Sequence, residues 1–406
     1  MIVKLGIYFY NFLILVSSSM ATIFRSTVLY QHKRLPARIM EVVTPHGKFE
    51  TPTFMPVGTR AAINGIQQKD LQNTDTTIIL GGNTYHMLNS PGMDAIRICG
   101  GMHEFMNWNG PMLTDSGGFQ VFSISKKSPK KCRIDDTGAR FQQNDGKIIN
   151  LSPKTSILTQ KIIGADIIMA FDECTTHSDN REESLRALNR THRWLSESRE
   201  THEYQPFSEY GNHQAFFGII QGGYFRDLRE QSTQFILDME TDGIAIGGEV
   251  IGSDMNATEE IISWIMPQLP TNKVRYTMGV GLNPCDLIAV VKRGIDMFDC
   301  VAPTRNARHG ALYHGHPKIK DDWVTFDTKN IAEGRLLIKK GEYARDERPI
   351  LEDCSCTTCR NYSRSYLHYL FKSKQTMYNT LSGIHNIHVM QNVCRKMREI
   401  IKQNSY

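Results

Sequence analysis

Asp299 stands inside an apolar run, residues 297–303, in the stretch Phe298-Asp-Cys-Val301, with Arg305 and Arg308 close behind. An ionised group there is costly unless it has a partner or a function. Such a carboxylate suits nucleophilic attack at the anomeric carbon of a sugar, with a second acid handling the leaving group's proton. Asp115, in Leu113-Thr-Asp-Ser-Gly-Gly-Phe-Gln120, is the natural second acid. The alternative is a buried ion pair between Asp299 and Arg305 or Arg308. Further residues outline a slot for a flat, purine-like base. Asp172, ending Ile167-Ile-Met-Ala-Phe-Asp172, can accept two hydrogen bonds from an edge such as the N1 and amino group of guanine. Gly117 and Gly118 let a ligand approach the backbone, Phe119 offers a stacking face, and Gln221 and Gly248 supply an amide and a bare backbone N–H for a carbonyl oxygen. Any one of these acids alone would read equally well as a helix cap.

A second constellation lies near the C-terminus. Cys354-Ser-Cys356-Thr-Thr-Cys359, with His385 downstream, offers three thiolates and an imidazole, a full tetrahedral set for zinc. Four protein ligands leave no open position, so the metal is expected to be structural. His388 is the less suitable fourth ligand and reads as a helix-face histidine.

These residues need a scaffold that brings strand ends together. Apolar, strand-length runs at 51–57, 77–83, 112–117, 166–172, 216–222, 243–248, 274–280 and 297–303 alternate with helix-length polar segments at 67–71, 93–98, 154–163, 182–201, 226–239, 257–266 and 284–293. The alternation implies parallel strands joined by right-handed crossovers. Eight such units predict an α/β TIM (β/α)8 barrel, whose strand ends meet at one mouth; a doubly wound open sheet is the rival. Two interruptions stand out, a polar and basic excursion at 126–145 and an insertion from 308 to about 359 that leads into a helical end. The expected division is an apolar leader at 1–19, a barrel domain at 20–310, and a zinc-binding and helical region at 311–406 that completes the barrel domain.

The chain has 406 residues, 40% hydrophobic and 22% charged, with a net charge of +5, which permits a nucleic-acid partner without demanding one. Nine cysteines, an odd number and mostly scattered, suit a reducing compartment and not a disulfide framework. The leader has the look of a signal peptide, but the thiol usage favours a start at Met20 and a cytoplasmic protein.

In the order in which they stand, Gly82-Asn-Thr-Tyr-His86, residues 113–120, Ala170-Phe-Asp-Glu-Cys174, residues 219–223, Met278-Gly-Val-Gly281, residues 298–305 and the three-cysteine, one-histidine knuckle resemble the tRNA-guanine transglycosylases, also called queuine tRNA-ribosyltransferases, of the bacterial catalytic type. The resemblance runs from about residue 26 to the C-terminus. It implies a TIM barrel with a structural zinc on Cys354, Cys356, Cys359 and His385, a homodimer, and no membrane association. By the same resemblance Asp299 is the nucleophile at C1′ of the wobble guanosine of tRNAs with a G-U-N anticodon (Asp, Asn, His, Tyr), and Asp115 the general acid/base. A 7-deazaguanine, either 7-aminomethyl-7-deazaguanine or queuine, then replaces guanine. Ser116, Gly117, Gly118, Phe119, Asp172, Gln221, Gly248 and Met278 match base-binding positions. Gly279, Val280, Gly281, Thr304, Arg305, Asn306, Ala307 and Arg308 match tRNA-contacting ones. Glu249-Val-Ile-Gly-Ser253 departs from the bacterial pattern Leu-Ala-Val-Gly-Glu beside the base's 7-substituent. The competing reading is a non-catalytic tRNA-binding paralogue.

Overall fold

The computed structural model describes residues 23–128, 130–142, 146–176, 180–328 and 331–406. The leader at 1–19 lies outside them. Eight parallel strands close into a barrel: Thr53–Gly58, Ile79–Asn83, Met112–Asp115, Ile167–Met169, Ala215–Ile220, Gly243–Ile246, Val274–Thr277 and Met297–Cys300. Each falls in one of the eight apolar runs, to within a residue at its outer bound. The last pairs with the first in the register Met297↔Thr53 to Cys300↔Pro56, so the sheet has no open edge and the doubly wound alternative is excluded. Strands covered on both faces carry apolar residues without alternation, which is why these segments read as continuous runs.

Caps fix the helix starts. Ser152 and Thr155 form a capping box ahead of Pro153–Ile163, as do Asn180 and Glu183 ahead of Arg181–Tyr204, and Asn283 and Asp286 ahead of Pro284–Lys292. Arg226–Asp238 and Met255–Ile265 complete the ring on this side. Short helices at Thr84–Asn89 and Met102–Met106 were not anticipated, since each spans barely more than a turn and carries little periodic signal.

The chain also adds parts that the strand-helix alternation does not contain. An antiparallel sheet of Arg25–Gln31, Arg38–Thr44 and Gly47–Glu50 plugs the end of the barrel opposite the mouth; its Met40, Val42 and Phe49 join Met55, Leu113, Met169 and Phe217 in one apolar cluster. The basic excursion is helix Gly118–Lys127 followed by a three-stranded antiparallel sheet, Cys132–Asp135, Gly138–Gln142 and Ile148–Leu151. The second insertion contains the strand pairs Ala311–Tyr313 with Arg335–Leu337 and His316–Lys320 with Trp323–Asp327.

After the eighth strand comes only the seven-residue helix Ala302–Arg308. The place of an outer helix is taken by Met377–Gln403, whose Met390, Val393, Cys394, Met397 and Ile401 share a cluster with Phe54 and Phe298. Two side chains tie it down. Gln391 donates to the Phe54 carbonyl (2.9 Å), and Asn386 donates to the carbonyls of Pro303 (2.9 Å) and Ala311 (3.1 Å) while accepting the Tyr313 N–H (2.8 Å). Helix Met377–Gln403 is therefore built into the barrel wall.

Candidate active site

Asp115, Asp172 and Asp299 stand at or just beyond the C-terminal ends of the third, fourth and eighth strands, the mouth of the barrel. Asp299 is buried and makes no ion pair among the described residues. Its Oδ1 instead accepts the Tyr276 hydroxyl (2.6 Å) and the Gly279 N–H (3.1 Å). Burial pushes its carboxyl up from the usual range, and these two donors oppose the rise. The ion pair with Arg305 or Arg308 is not formed: Arg305 is exposed on helix Ala302–Arg308, and Arg308 is half-buried with an unpartnered Nη1.

Asp115 accepts the Asn83 side-chain amide (2.5 Å) and the Gly117 N–H (3.2 Å), and Asn83 also donates to Gln120 Oε1 (2.7 Å). Burial raises its pKa to about 7; the two donors work against this, while Asp299 and Asp172 add repulsion. Near neutrality it is divided between acid and carboxylate, the condition for a group that both gives and takes a proton. Asp172 receives Gln221 Nε2 (2.8 Å) and Ser116 Oγ (3.2 Å), and burial lifts it to about 6. Neither carboxylate caps a helix; that role falls to Asn83, which accepts the His86 N–H.

The glycines are spatial requirements. A Cβ on Gly118 would sit 2.1 Å from Asp172 Oδ1. Gly248 has φ +120°, and a Cβ there would meet Arg229 Nη2 at 2.8 Å. Arg229, fully buried, ties the two base-side loops together by donating to the carbonyls of Ile220 (2.9 Å), Gly223 (2.8 Å) and Gly247 (2.8 Å). Phe119 is 55% exposed beside Phe122, and Met278 packs on the barrel cluster. Val280 and Ala307 are wholly buried, Thr304 bonds back to the Val301 carbonyl, and Asn306 reaches the Tyr313 hydroxyl, so within that segment Arg305 is the cation presented outward. Asn83 is expected at the mouth as the polar end of the run 77–83, whereas two site residues escaped the sequence reading: Tyr276 and Arg229. The last had a signal, since residues 225, 228, 232 and 236 on its helix face are apolar or small.

Cys354, Cys356, Cys359 and His385 form a group able to hold a metal ion. The three sulfurs lie 3.8, 3.6 and 3.3 Å from His385 Nδ1, near the ~3.5 Å separating ligands of a tetrahedral zinc. His385 Nε2 is 2.7 Å from the Tyr313 carbonyl, which requires the proton on Nε2 and turns the Nδ1 lone pair toward the sulfurs. His388 bonds to Ser355 Oγ. A second group with ligand spacing, His46, His103 and Asp166, lies at the opposite end of the barrel. Its imidazoles stack face to face at 3.5 Å, so their lone pairs do not converge on one ion, and the arrangement is a hydrogen-bonded staple.

A closed (β/α)8 barrel with Asp115, Asp172 and Asp299 gathered at its mouth and a Cys3His group able to hold a metal ion defines a TIM-barrel protein with a candidate carboxylate site. Residues 33–406 match the family described as queuine tRNA-ribosyltransferase. The chain is 40% identical over 381 residues to the queuine tRNA-ribosyltransferase of Lysinibacillus sphaericus, covering 94% of this chain and 92% of that one. Against the enzymes of the same name from Desulforamulus reducens and Macrococcus caseolyticus it is 40% and 41% identical, over 92–93% of this chain and 93–94% of theirs. The chain belongs to the queuine tRNA-ribosyltransferase family, and is a pentosyltransferase.

Proposed function

We propose that this protein exchanges guanine at the wobble position of G-U-N anticodon tRNAs for a cationic 7-deazaguanine, through a ribosyl ester on Asp299. The observation that carries the reading is the asymmetry of Asp299. Both donors hold Oδ1, leaving Oδ2 as the attacking oxygen. An Oδ2 lone pair forms the bond to C1′ as the C1′–N9 bond breaks, and Asp115 gives its proton to the departing guanine. The incoming base loses its N9 proton to Asp115, and N9 then reclaims C1′ from the ester. Asp172, with Gln221 and Ser116 on its oxygens, reads the donor edge of the base, which must leave its stack to reach this depth.

Asp115 and Asp299 together favour catalysis over a binding-only paralogue. Zinc fits the Cys3His donor set and would hold the knuckle against helix Met377–Gln403 without touching substrate. A homodimer is supported by an aromatic surface beside that knuckle, where Tyr362 and Tyr366 stack at 5.6 Å and Tyr369 is 60% exposed. Among the described residues no helix is long and apolar enough to cross a membrane, and the reading places the enzyme in the cytoplasm. At the rim of the base slot Glu249 lies 4.0 Å from Lys126, and Ser253 Oγ donates to the Glu249 carbonyl. The ammonium of either 7-aminomethyl-7-deazaguanine or queuine would compete with Lys126 for that carboxylate.

The test is incorporation of radiolabelled guanine into unmodified tRNA-Tyr by wild type, Asp299→Ala and Glu249→Leu, with the two 7-deazaguanines as competitors. Exchange lost in Asp299→Ala supports the reading, and a changed competitor ratio in Glu249→Leu supports the role of the rim. Binding without exchange by folded, zinc-loaded wild type sinks it in favour of the paralogue.

A further inference from the structure

Apart from Gly118, Phe119, Gln120 and Lys126, the excursion between the third and fourth strands takes no part in the chemistry above. Both its ends nevertheless root at the mouth. Helix Gly118–Lys127 starts against Asp172 and carries the chain about 15 Å outward at ~1.5 Å per residue. The return passes through Ser152 into Pro153–Ile163, where Ser156 Oγ donates to the Ser116 carbonyl (2.8 Å).

Residues 118–152 contain seven lysines and arginines against three aspartates. These 35 residues thus carry four of the five net positive charges of the whole chain. Asp136 and the neighbouring Glu173 are matched from outside the excursion. Arg193 and Arg190, on helix Arg181–Tyr204, lie 2.8 and 3.4 Å from Asp136, and Arg190 also pairs with Glu173. Asp135 accepts the Thr137 N–H and hydroxyl, with Arg133 and Arg190 adding a weaker charge attraction. Lys127, Lys130, Arg133 and Arg140 are all exposed. Arg133 and Arg140 are moreover direct partners across the antiparallel sheet, on one face. Like charges so placed repel, a cost that a polyanion laid across them would remove.

We propose that this excursion is an arm that grips the RNA backbone, binding phosphates of the tRNA outside the nucleotide taken into the pocket. The proposal rests on tRNA being the substrate. Its cations act on phosphate and not on base edges, so they contribute affinity and salt dependence without choosing the anticodon.

Guanine exchange is measured against tRNA concentration at several salt concentrations for wild type, Arg133→Glu/Arg140→Glu and Arg133→Lys/Arg140→Lys, with Lys127→Glu/Lys130→Glu as a variant off the sheet. The expected result is a KM for tRNA raised about tenfold at low salt in both reversed pairs, kcat within about twofold of wild type, and a log–log salt slope shallower by about 1.5. The lysine pair keeps the wild-type KM. Wild-type KM and salt slope in folded reversed pairs overturn the proposal. If wild type performs no exchange, the functional reading has failed, and filter binding of tRNA by the same four proteins decides on the arm alone.

Discussion

Two carboxylates at the mouth differ in what their neighbours do to them, and that difference is measurable. Tyr276 holds Asp299 in its ionised form, so Tyr276→Phe lets the Asp299 pKa rise. Because the attacking group must be ionised, the acid limb of the kcat/KM profile moves to higher pH, by about one to two units for a hydrogen bond to a charged group worth ~1.5–3 kcal/mol. A merely structural tyrosine would lower activity without moving that limb. Asp115, like Asp299, is raised by burial. Its pKa in the fold is about 7, above its value in the unfolded chain, so the native state holds the proton more tightly. Stability is lost as pH rises from about 4 through 7. Asp115→Asn therefore abolishes exchange yet raises stability at pH 8 by roughly 1–3 kcal/mol, with little gain at pH 4, read by urea denaturation at both values. Much of this scale was legible beforehand. Asp115, Asp172, Gln221 and Asp299 announced themselves as polar residues ending or interrupting apolar runs. Tyr276 did not, because an aromatic in a strand is ordinary until the fold shows that it meets no water, and Arg229 was marked only by the apolar or small neighbours on its helix face.

Elements were legible where burial wrote a pattern. All eight barrel strands are buried on both faces and stood out as largely apolar runs; the plug strand Arg25–Gln31 is mostly polar and largely exposed, and Arg38–Thr44 carries Arg38 and Glu41, so neither did. The plug is fastened by a buried pair. Arg38 Nε and Nη2 donate to the Asp296 carboxylate at 3.0 and 2.7 Å, and Asp296 also accepts the Arg275 N–H at 2.8 Å, where the eighth strand begins. Removing one partner strands the other charge in a dry interior. Arg38→Met is expected to cost about 3–5 kcal/mol in urea unfolding, and Arg38→Met/Asp296→Leu to recover part of it. Equal loss in the single and double variants would mean that packing, not the orphaned charge, sets the cost.

At the scale of the molecule, the knuckle and the catalytic mouth are two ends of one rigid connection. His385 and Asn386 are consecutive on helix Met377–Gln403; one faces the cysteines, and the other holds the carbonyls of Pro303 and Ala311 on either side of Arg305. Stripping the metal with a strong chelator, or Cys356→Ser, is expected to lower the melting temperature and to raise the KM for tRNA, with less effect on binding of free guanine. Loss of guanine binding in parallel with tRNA affinity would show instead that the whole barrel had loosened. The cysteine pattern gave the ligands away in sequence, but not this coupling, since nothing in the spacing says which carbonyls a neighbouring asparagine will reach.

The pairing of the eighth strand with the first sets an order in time. Met297 lies across from Thr53, and at ribosomal rates of ~5–20 residues per second the two are made roughly 12–50 s apart. Thr53–Gly58 must wait for its neighbour, and helix Met377–Gln403, which packs over that seam, comes later still. Asp299 thus reaches its place among the last parts of the barrel. A nascent chain broken off before it would already carry Asp115, Asp172 and Gln221 but not Asp299, so on the proposed mechanism premature termination yields fragments without the group that would form the ester with RNA.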